Sequence, residues 1–256
     1  MEIIVISLPG DDARRARLEA SLAPFGLDYH WLEGVDARGW DRDEQARNMN
    51  KASTFFTMSY HPNPGAVGCH LSHMKAYRYL LESDNDAIII LEDDAEITED
   101  FAANVPHLAK AMSALDMIFL CDNRPNRPSK IIGTATSGLA FHFKKFTNNG
   151  TFGYVINRKA ASYMLAHHAT FGLEIDMCLN KWWQSGLHIA TTSPDLVVHN
   201  DMGSGIGYDG IKPVANPIHR IAARLYRLYH SMVKRALFTA HYNKMVRAFE
   251  KSSHKS

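Results

Sequence analysis

The stretch that most constrains the fold is DAIIILEDDAEI at residues 86–97, where an apolar run ends in three consecutive acids. The five apolar residues 87–91 are typical of a parallel strand that is buried on both faces. Glu92, Asp93 and Asp94 follow at the carboxyl end of this strand, where like charges repel and unpaired burial is costly. Ligands of open α/β sheets bind at that end, so the acids predict a divalent cation site. A solvated turn before a helix is the alternative.

The spacing of apolar residues elsewhere predicts an alternation of strands and helices. A β-branched run at 3–8 is followed by a helical pattern up to Gly26 and by DYHWLE at 28–33, an order typical of a parallel α/β sheet. Residues 41–64, 122–136 and 203–210 are predicted to form loops, the first with a short helix. Further helices are predicted at 67–81, 99–114, 158–168, 174–183 and from about 216, and further strands at 86–91, 117–121, 139–143, 152–156, 188–192 and 196–198.

The net charge of the 256-residue chain is +1, so composition gives no reason to expect binding to nucleic acid. The charge is unevenly distributed, because residues 213–256 hold nine Lys or Arg and one acid and thus carry +8, against −7 for residues 1–212. We therefore divide the chain into a folded domain at 1–212 and a basic tail at 213–256. A basic tail suggests an anionic surface as partner, most simply lipid.

Cysteine usage and the N-terminal stretch indicate the compartment. Cys69, Cys121 and Cys178 are an odd number and form no CxxC pair, so neither a disulfide framework nor a zinc site is predicted. The first residues lack the basic segment of a signal peptide, and the sequence contains no apolar run of 18 residues. We expect a protein that stays in the reducing cytoplasm.

The sequence contains no Walker or dinucleotide phosphate-binding loop. Instead, PGAVGCHLSH at 64–73 places Gly65 and Gly68 at the start of a predicted helix. Backbone without a Cβ can approach a ligand there, and a helix N-terminus favours an anion. A turn before an ordinary capped helix is the alternative. His70 and His73 lie three residues apart on one helical side, as ligands or as structural residues.

Two later residues are also candidates for chemistry. Asp176, in GLEIDMCLNKWW, stands at the start of a predicted helix, and its carboxylate is a candidate general base or a helix cap. His199 ends a predicted strand in DLVVHND and is a candidate third metal ligand. Ser72 and His73 are adjacent in sequence, which does not fit a nucleophile and its base.

Six segments resemble, in this order, bacterial lipopolysaccharide or lipooligosaccharide glycosyltransferases of family 25: IIVISLPGDDARRARLE, FGLDYHWLEGVDAR, NPGAVGCHLSHMKAY, AIIILEDDAEI, GTFGYVINRKAASYML and EIDMCL. The pair GAVGCHLSH and LEDD is the most specific part. The resemblance covers roughly residues 2–200 and leaves out the tail. It implies an α/β, GT-A-like nucleotide-sugar transferase fold with a mixed central sheet. It also implies inverting transfer of a hexose, often galactose, from a UDP-sugar with Mn²⁺ or Mg²⁺, giving a β-linked product on a lipopolysaccharide or lipooligosaccharide acceptor.

The resemblance also implies roles for individual residues. Asp94 and Asp176 would be the catalytic residues, with Asp176 as general base, and Asp94, Glu92 and His199 would hold the metal. Asp93 or Glu92 would alternatively touch water on the metal or the ribose. The donor would be contacted by a larger set: Ser7, Leu8 and Pro9 on the uracil and ribose side, Arg14 or Arg17 at the nucleotide or phosphates, Asp36 at uracil or ribose, Gly65, Gly68, Cys69, Ser72, His73, Glu92 and Asp93 beside it, and Gly153 and Tyr154 around the sugar and acceptor.

The tail pattern RIAARLYRLYHSMVKRALFTAHYNKMVRAF is basic and amphipathic. Such helices lie in anionic membrane interfaces, so we expect a peripheral protein on the inner face of the inner membrane, beside a lipid-linked oligosaccharide acceptor. Packing on the domain or on a second subunit is the alternative. A UDP-glucose donor, a non-catalytic nucleotide-sugar-binding protein and a metal-dependent phosphohydrolase stay open as other functions. The oligomeric state and the linkage position do not follow from the sequence.

Overall fold

The computed structural model of the protein describes residues 1–145, 150–199 and 216–253. Its strands and helices, in chain order, are β1 (Glu2–Ser7), α1 (Asp12–Leu22), β2 (Tyr29–Glu33), α2 (Arg42–Arg47), α3 (Lys51–Thr57), α4 (Pro64–Glu82), β3 (Ala87–Glu92), β4 (Ala95–Ile97), α5 (Phe101–Ala111), β5 (Met117–Phe119), β6 (Ser129–Thr134), β7 (Ala140–Lys144), β8 (Gly153–Asn157), α6 (Arg158–His168), α7 (Ile175–Leu179), α8 (Trp182–Ser185), β9 (Ile189–Ser193), β10 (Val197–His199) and α9 (Pro217–Ser253). The predicted loop at 203–210 and the predicted boundary between residues 212 and 213 lie outside the described residues.

The main sheet has eight strands in the order β2-β1-β3-β8-β5-β9-β7-β6. Strands β1, β2 and β3 are parallel, as the opening strand–helix–strand pattern predicted, whereas β8 runs antiparallel between β3 and β5. The sheet is therefore mixed. Residues 88–91 of β3 are fully buried, as expected for a central strand covered on both faces. The predicted α/β class, the mixed central sheet and the C-terminal helix are confirmed.

A second, two-stranded ribbon brings distant parts of the chain to the end of β3. Strand β4 starts immediately after the three acids and pairs antiparallel with β10, with His199 opposite Ala95. Because Ala95 follows Asp94 directly, this register places His199 beside Asp94. The ribbon therefore explains how residues about a hundred positions apart meet at one site.

Three predicted elements differ from the structure. Residues 129–134, predicted as loop, form the edge strand β6. Most of these residues are exposed, so the sequence shows no alternation of buried and exposed residues there. The single helix predicted at 174–183 is wrong, because Asn180 ends α7 and donates its side-chain amide to the Asp176 carbonyl at 2.6 Å. The segment 41–64 contains two short helices instead of one, and the side chains of Asp41 and Asn50 cap them.

Helix α4 lies at the centre of the domain and carries the GAVGCHLSH motif. It begins at Pro64, and the Asn63 side chain caps it by accepting from the Gly65 amide at 2.8 Å. At Gly68 a Cβ atom would lie 2.3 Å from the Val35 carbonyl oxygen, so only glycine allows this approach. Gly68 thus serves to pack α4 against the loop after β2. Within the described ranges no helix is both long enough and apolar enough to cross a membrane.

We predict that Gly68→Ala destabilises the fold, because the added methyl group meets backbone, which cannot rotate away. Overpacking of this kind costs about 1–3 kcal/mol of the free energy of unfolding. Gly39→Ala is the matched control, since a Cβ there meets nothing within 4 Å. Urea unfolding of both variants measures the effect. A Gly68→Ala midpoint equal to that of Gly39→Ala would show that the loop moves at no cost.

Candidate active site

The three acids at the end of β3 have different surroundings. Arg14 of α1 is a positively charged partner of Asp93 and Asp94. The Arg14 Nη1 atom lies 3.1 Å from Asp93 Oδ1 and 3.8 Å from Asp94 Oδ2. The structure thus brings Arg14 to the acids, while Arg17 pairs with the exposed Glu96. One guanidinium supplies one positive charge against three carboxylates, so the cluster remains acidic.

Glu92 is the best satisfied of the acids. It accepts a hydrogen bond from the Thr151 hydroxyl, and its Oε1 lies 3.1 Å from His73 Nε2. The other ring nitrogen of His73 lies 2.7 Å from the Tyr154 hydroxyl, which lies 2.7 Å from the Tyr77 hydroxyl. Burial raises the pKa of Glu92, but the His73 and Thr151 hydrogen bonds outweigh it and hold the pKa below its usual value. Glu92 is therefore an ionised carboxylate in a buried network.

Asp94 is the least satisfied of the acids. Its Oδ1 atom is buried and has no hydrogen-bond partner among the described residues. Its Oδ2 atom lies 3.7 Å from His199 Nε2, and the His199 ring packs on Phe152 at 4.1 Å between centroids. Burial, followed by the charge of Glu92, raises the pKa of Asp94 well above its usual value, and Arg14 only partly opposes this. A cation placed at Oδ1 would satisfy the atom and stabilise its negative charge.

The types of donor atom near Asp94 suit a hard divalent cation. Two carboxylates and an imidazole, from Glu92, Asp94 and His199, are ligands that Mn²⁺ accepts, and Mg²⁺ favours the carboxylate oxygens. Ligand atoms of Cys69, His73 and Glu92 also lie within 4.8 Å of one another and form a possible metal group. In that group both His73 nitrogens already have partners. Burial, then the charges of the nearby carboxylates, raises the pKa of the Cys69 thiol well above its usual value, which disfavours a thiolate ligand.

Asp176 faces the same cluster from the start of α7. Its Oδ2 accepts from the Gly150 amide at 3.0 Å, and its Oδ1 accepts from the Met177 amide at 2.7 Å, which fixes the carboxylate. Burial raises the pKa of Asp176, while these two hydrogen bonds act against the increase. Its charge acts on Cys69 together with the charges of Glu92 and Asp94. Asp176 and Glu92 are therefore close enough for the charge of one to act on the other.

The predicted uracil and ribose side at the end of β1 is held by a residue that was not predicted. Arg15 Nε donates to the buried Ser7 hydroxyl at 3.0 Å, and Arg15 Nη2 donates to the Leu8 carbonyl at 3.3 Å. The Arg15 guanidinium lies 5.2 Å from the Trp31 ring centroid. Pro9 follows at the exposed turn. Arg15 therefore orders this end of β1, and its place beside Arg14 in sequence was the available signal.

Several predicted donor-binding residues have structural partners instead. The Ser72 hydroxyl accepts from the Val35 amide at 2.8 Å and donates to the Gly68 carbonyl at 2.7 Å. Asp36 is exposed and forms a 2.6 Å ion pair with Arg38, which lowers the pKa of Asp36 to about 2 through its side-chain hydrogen bonds. Gly65 is a capped first-turn residue of α4. Their contact with a donor stays a prediction.

The predicted sugar-pocket residues of β8 are packed in the interior. Tyr154 is 0% exposed, and its hydroxyl contacts the His73 imidazole, which in turn contacts Glu92. Its predicted place around the sugar and acceptor stays a prediction. At Gly153 a Cβ would lie 3.0 Å from Leu91 Cδ2 and 3.1 Å from a Val197 methyl carbon, so the glycine permits close packing of β3 and the ribbon. His70 also points elsewhere, since its Nε2 lies 2.7 Å from the His168 carbonyl.

Sequence reasoning missed Thr151 and Tyr77, which complete the network around Glu92. Thr151 belongs to the GTFG segment and carries a hydroxyl, but nothing in its sequence neighbourhood indicates a contact with Glu92, 59 positions earlier. Tyr77 lies one helical turn after His73 on the same face of α4, which was an available signal.

Ligands of open α/β sheets bind at the carboxyl ends of the strands, which is where this acidic cluster lies. The sequence model of the protein family "Glycosyltransferase family 25 (LPS biosynthesis protein)" matches residues 1–179 of the chain. The chain belongs to glycosyltransferase family 25. This is the family that the sequence motifs resemble.

The curated relatives are longer and remote. A "Glycosyltransferase 25 family member" of Aedes aegypti is 24% identical over 172 residues, which make up 64% of this chain and 27% of the relative. A protein of the same description from Drosophila pseudoobscura pseudoobscura is 25% identical over 171 residues, with the same shares of 64% and 27%. The chain thus matches about a quarter of the length of these relatives.

Two solved structures resemble the chain with lower sequence identity. A mutant Drosophila beta-1,4-galactosyltransferase 7 in complex with manganese, UDP-Gal and xylobiose is 14% identical, with a TM-score of 0.38 and coverage of 86% of this chain and 73% of that chain. The galactosyltransferase LgtC in complex with donor and acceptor sugar analogs is 12% identical, with a TM-score of 0.39 and coverage of 75% and 73%.

We predict that Tyr154→Phe destabilises the protein more than Tyr77→Phe. Loss of the Tyr154 hydroxyl leaves His73 Nδ1 and the Tyr77 hydroxyl without their partner, and a buried unsatisfied group costs about 1–3 kcal/mol. Tyr77→Phe is the matched control, because it leaves the Tyr154–His73 hydrogen bond in place. Free energies of unfolding in urea test this order. Equal losses in the two variants would show that the bond to His73 contributes no stability.

Proposed function

We propose that the protein is a metal-dependent, inverting hexosyltransferase that moves galactose from UDP-galactose to a sugar of a lipopolysaccharide or lipooligosaccharide acceptor and forms a β-glycosidic bond. Family membership supports glycosyl transfer. The single observation that supports the metal requirement is the buried Oδ1 atom of Asp94, which has no hydrogen-bond partner in the part of the chain that the structure describes. The donor sugar and the acceptor come from the family resemblance.

Asp94, Glu92 and His199 are the residues that would hold the cation, and Mn²⁺ or Mg²⁺ is the ion we expect. When bound there, the ion would neutralise the diphosphate charge that increases as the sugar leaves. Arg14 keeps Asp93 paired, and His73 with Thr151 keeps Glu92 ionised and fixed in place. These contacts orient the carboxylates before the ligand arrives, which reduces the cost of organising the site.

In this proposal Asp176 acts as the general base. The acceptor hydroxyl oxygen would attack the anomeric carbon on the face opposite the diphosphate, and the bond from that carbon to UDP would break as the new glycosidic bond forms. The hydroxyl proton would pass to the Asp176 carboxylate. The amides of Gly150 and Met177 hold this carboxylate in one orientation, and its raised pKa makes it a better proton acceptor than an ordinary aspartate.

We predict that Asp94→Asn abolishes metal-dependent release of UDP. The measurement is a UDP-release assay over a panel of UDP-sugars, with Mn²⁺ or with chelator, and the loss expected is more than about 100-fold. Glu96→Gln is the matched control, because Glu96 is an exposed acid of the neighbouring strand that pairs with Arg17. Mn²⁺ titration calorimetry gives a readout that does not depend on turnover, and Asp94→Asn should weaken binding while Glu96→Gln does not.

Other outcomes of this assay select other functions. Release from UDP-glucose alone would identify a glucosyltransferase. Release of sugar phosphate or phosphate without any acceptor would identify a phosphohydrolase. Mn²⁺ and UDP binding without turnover, even with a truncated lipooligosaccharide present, would identify a non-catalytic binding protein. Unchanged Mn²⁺ affinity and activity in Asp94→Asn would refute the metal site.

We predict that Asp176→Asn lowers kcat by about 10²- to 10⁴-fold, while the affinities for Mn²⁺ and the UDP-sugar stay close to those of the wild type. Because burial raises the pKa of Asp176, the wild-type kcat should fall with decreasing pH at a higher pH than for an ordinary aspartate. Below the pKa the carboxylate is protonated and cannot accept the hydroxyl proton. At saturating Mn²⁺, which would keep Asp94 ionised, the acidic limb of the pH profile should disappear in Asp176→Asn. A variant that keeps this limb would exclude Asp176 as the base.

A further inference from the structure

Helix α9 is fixed on the domain by one of its faces. Ala223 and Met245 are fully buried, and the Phe238 ring stacks on Phe143 with 4.9 Å between centroids. Trp183 Nε1 donates to His230 Nδ1 at 3.1 Å, and His241 Nε2 lies 3.1 Å from the Leu187 carbonyl. These contacts run along most of the helix, so its orientation on the domain is set and its opposite face is directed away from the domain.

The opposite face of the N-terminal half of α9 is apolar and exposed. Each of its residues lies three or four positions from another one, which places them on one side of a helix. Their exposed fractions run from 58% to 68%, far above those of the buried apolar residues of the same helix. This apolar stripe consists of Ile218, Ile221, Leu225, Leu228, Tyr229 and Met232.

The charges beside the stripe are positive. Arg224 and Arg235 stand next to it on the helix surface, and residues 217–249 contain no acid. A second copy of the chain that packed on this stripe would bring arginines against arginines without an acidic partner, which is unfavourable. A lipid surface with negative headgroups is complementary in both respects, because it accepts apolar side chains and attracts the flanking cations.

The stripe begins near the segment that carries the proposed base. The His219 ring stacks on Phe55 of α3 at 4.6 Å, and its Nε2 lies 3.2 Å from the Thr54 carbonyl. The hydroxyl of Thr57, at the end of α3, donates to the Gly172 carbonyl at 2.7 Å, four residues before Asp176. One continuous set of contacts therefore runs from the first turn of α9 through α3 to the α7 segment.

We propose that the apolar stripe of α9 lies in the interface of an anionic bilayer, with Arg224 and Arg235 at the headgroups. The helix lies along the surface, since its packed face stays on the domain. This arrangement would bring a lipid-linked acceptor towards the Asp176 side of the enzyme. Only that last consequence rests on the proposed function, because the binding surface follows from α9 alone.

Vesicle flotation tests the proposal with the full chain. Vesicles of phosphatidylcholine and phosphatidylglycerol at roughly 7:3 should retain the protein at least tenfold better than pure phosphatidylcholine, and salt should weaken the retention. Leu225→Ser/Leu228→Ser should reduce the retention about tenfold or more. Thr239→Ser/Asn243→Ser is the matched control, because it changes two exposed residues of the same helix and removes only one methyl group of apolar surface. Arg224→Gln/Arg235→Gln should reduce the preference for phosphatidylglycerol.

Two results would overturn the proposal. One is retention of Leu225→Ser/Leu228→Ser equal to that of the control pair, with circular dichroism and thermal unfolding showing that both variants are folded. The other is a dimer in analytical ultracentrifugation that Leu225→Ser/Leu228→Ser dissociates, with no binding to either vesicle, which would assign the stripe to a second copy. Neither readout needs a donor or an acceptor, so failure of the transferase assay would leave this test intact.

Discussion

Burial of three neighbouring carboxylates at the end of β3 is the constraint on which the rest of the site depends. A buried carboxylate must be paired, hydrogen-bonded or protonated, and the structure shows a different solution at each position. Asp93 has an arginine, and Glu92 has an imidazole and a hydroxyl. One oxygen of Asp94 has no partner within residues 1–145, 150–199 and 216–253. The first two solutions are complete within the chain. The third would be completed by a proton or, in the proposed enzyme, by a cation, so the proposed metal site depends on Asp94.

The fold was predictable where the residue types of a segment indicate whether it is buried. The apolar run before Glu92 indicated a central strand because each of its residues is buried on one face or the other. Strand β6 was not predictable, since SKIIGT is mostly exposed and becomes a strand only by pairing with β7. Its glycine, Gly133, packs against Phe249 of α9, more than a hundred positions later in the sequence. The break between α7 and α8 likewise depends on the local hydrogen bond of Asn180, which periodicity does not report.

The same division applies to the site. Residue types and spacing indicated the acids, His73 and Asp176 as candidates, and the family resemblance added Arg14 or Arg17; their roles in binding and catalysis stay predictions. What spacing could not predict is the partner of each group. His70 and His73 lie on one side of α4, yet one meets a backbone carbonyl and the other meets Glu92. The partner depends on which strand or loop packs there, and that is decided by residues far away in sequence.

The charge distribution of the chain would also affect how the enzyme is oriented at an anionic bilayer. Residues 1–212 carry −7, so an anionic bilayer would repel the domain that holds the acidic site. Electrostatic forces between exposed charges fade beyond about 8 Å at physiological ionic strength, so the domain and the helix act on lipid only over short distances. In the proposed arrangement attraction exceeds repulsion when the face of α9 that carries Arg224 and Arg235 is turned to the surface. The charges would therefore orient the enzyme as well as hold it, and the apolar stripe, which lies on that same face, would enter the bilayer only in this orientation.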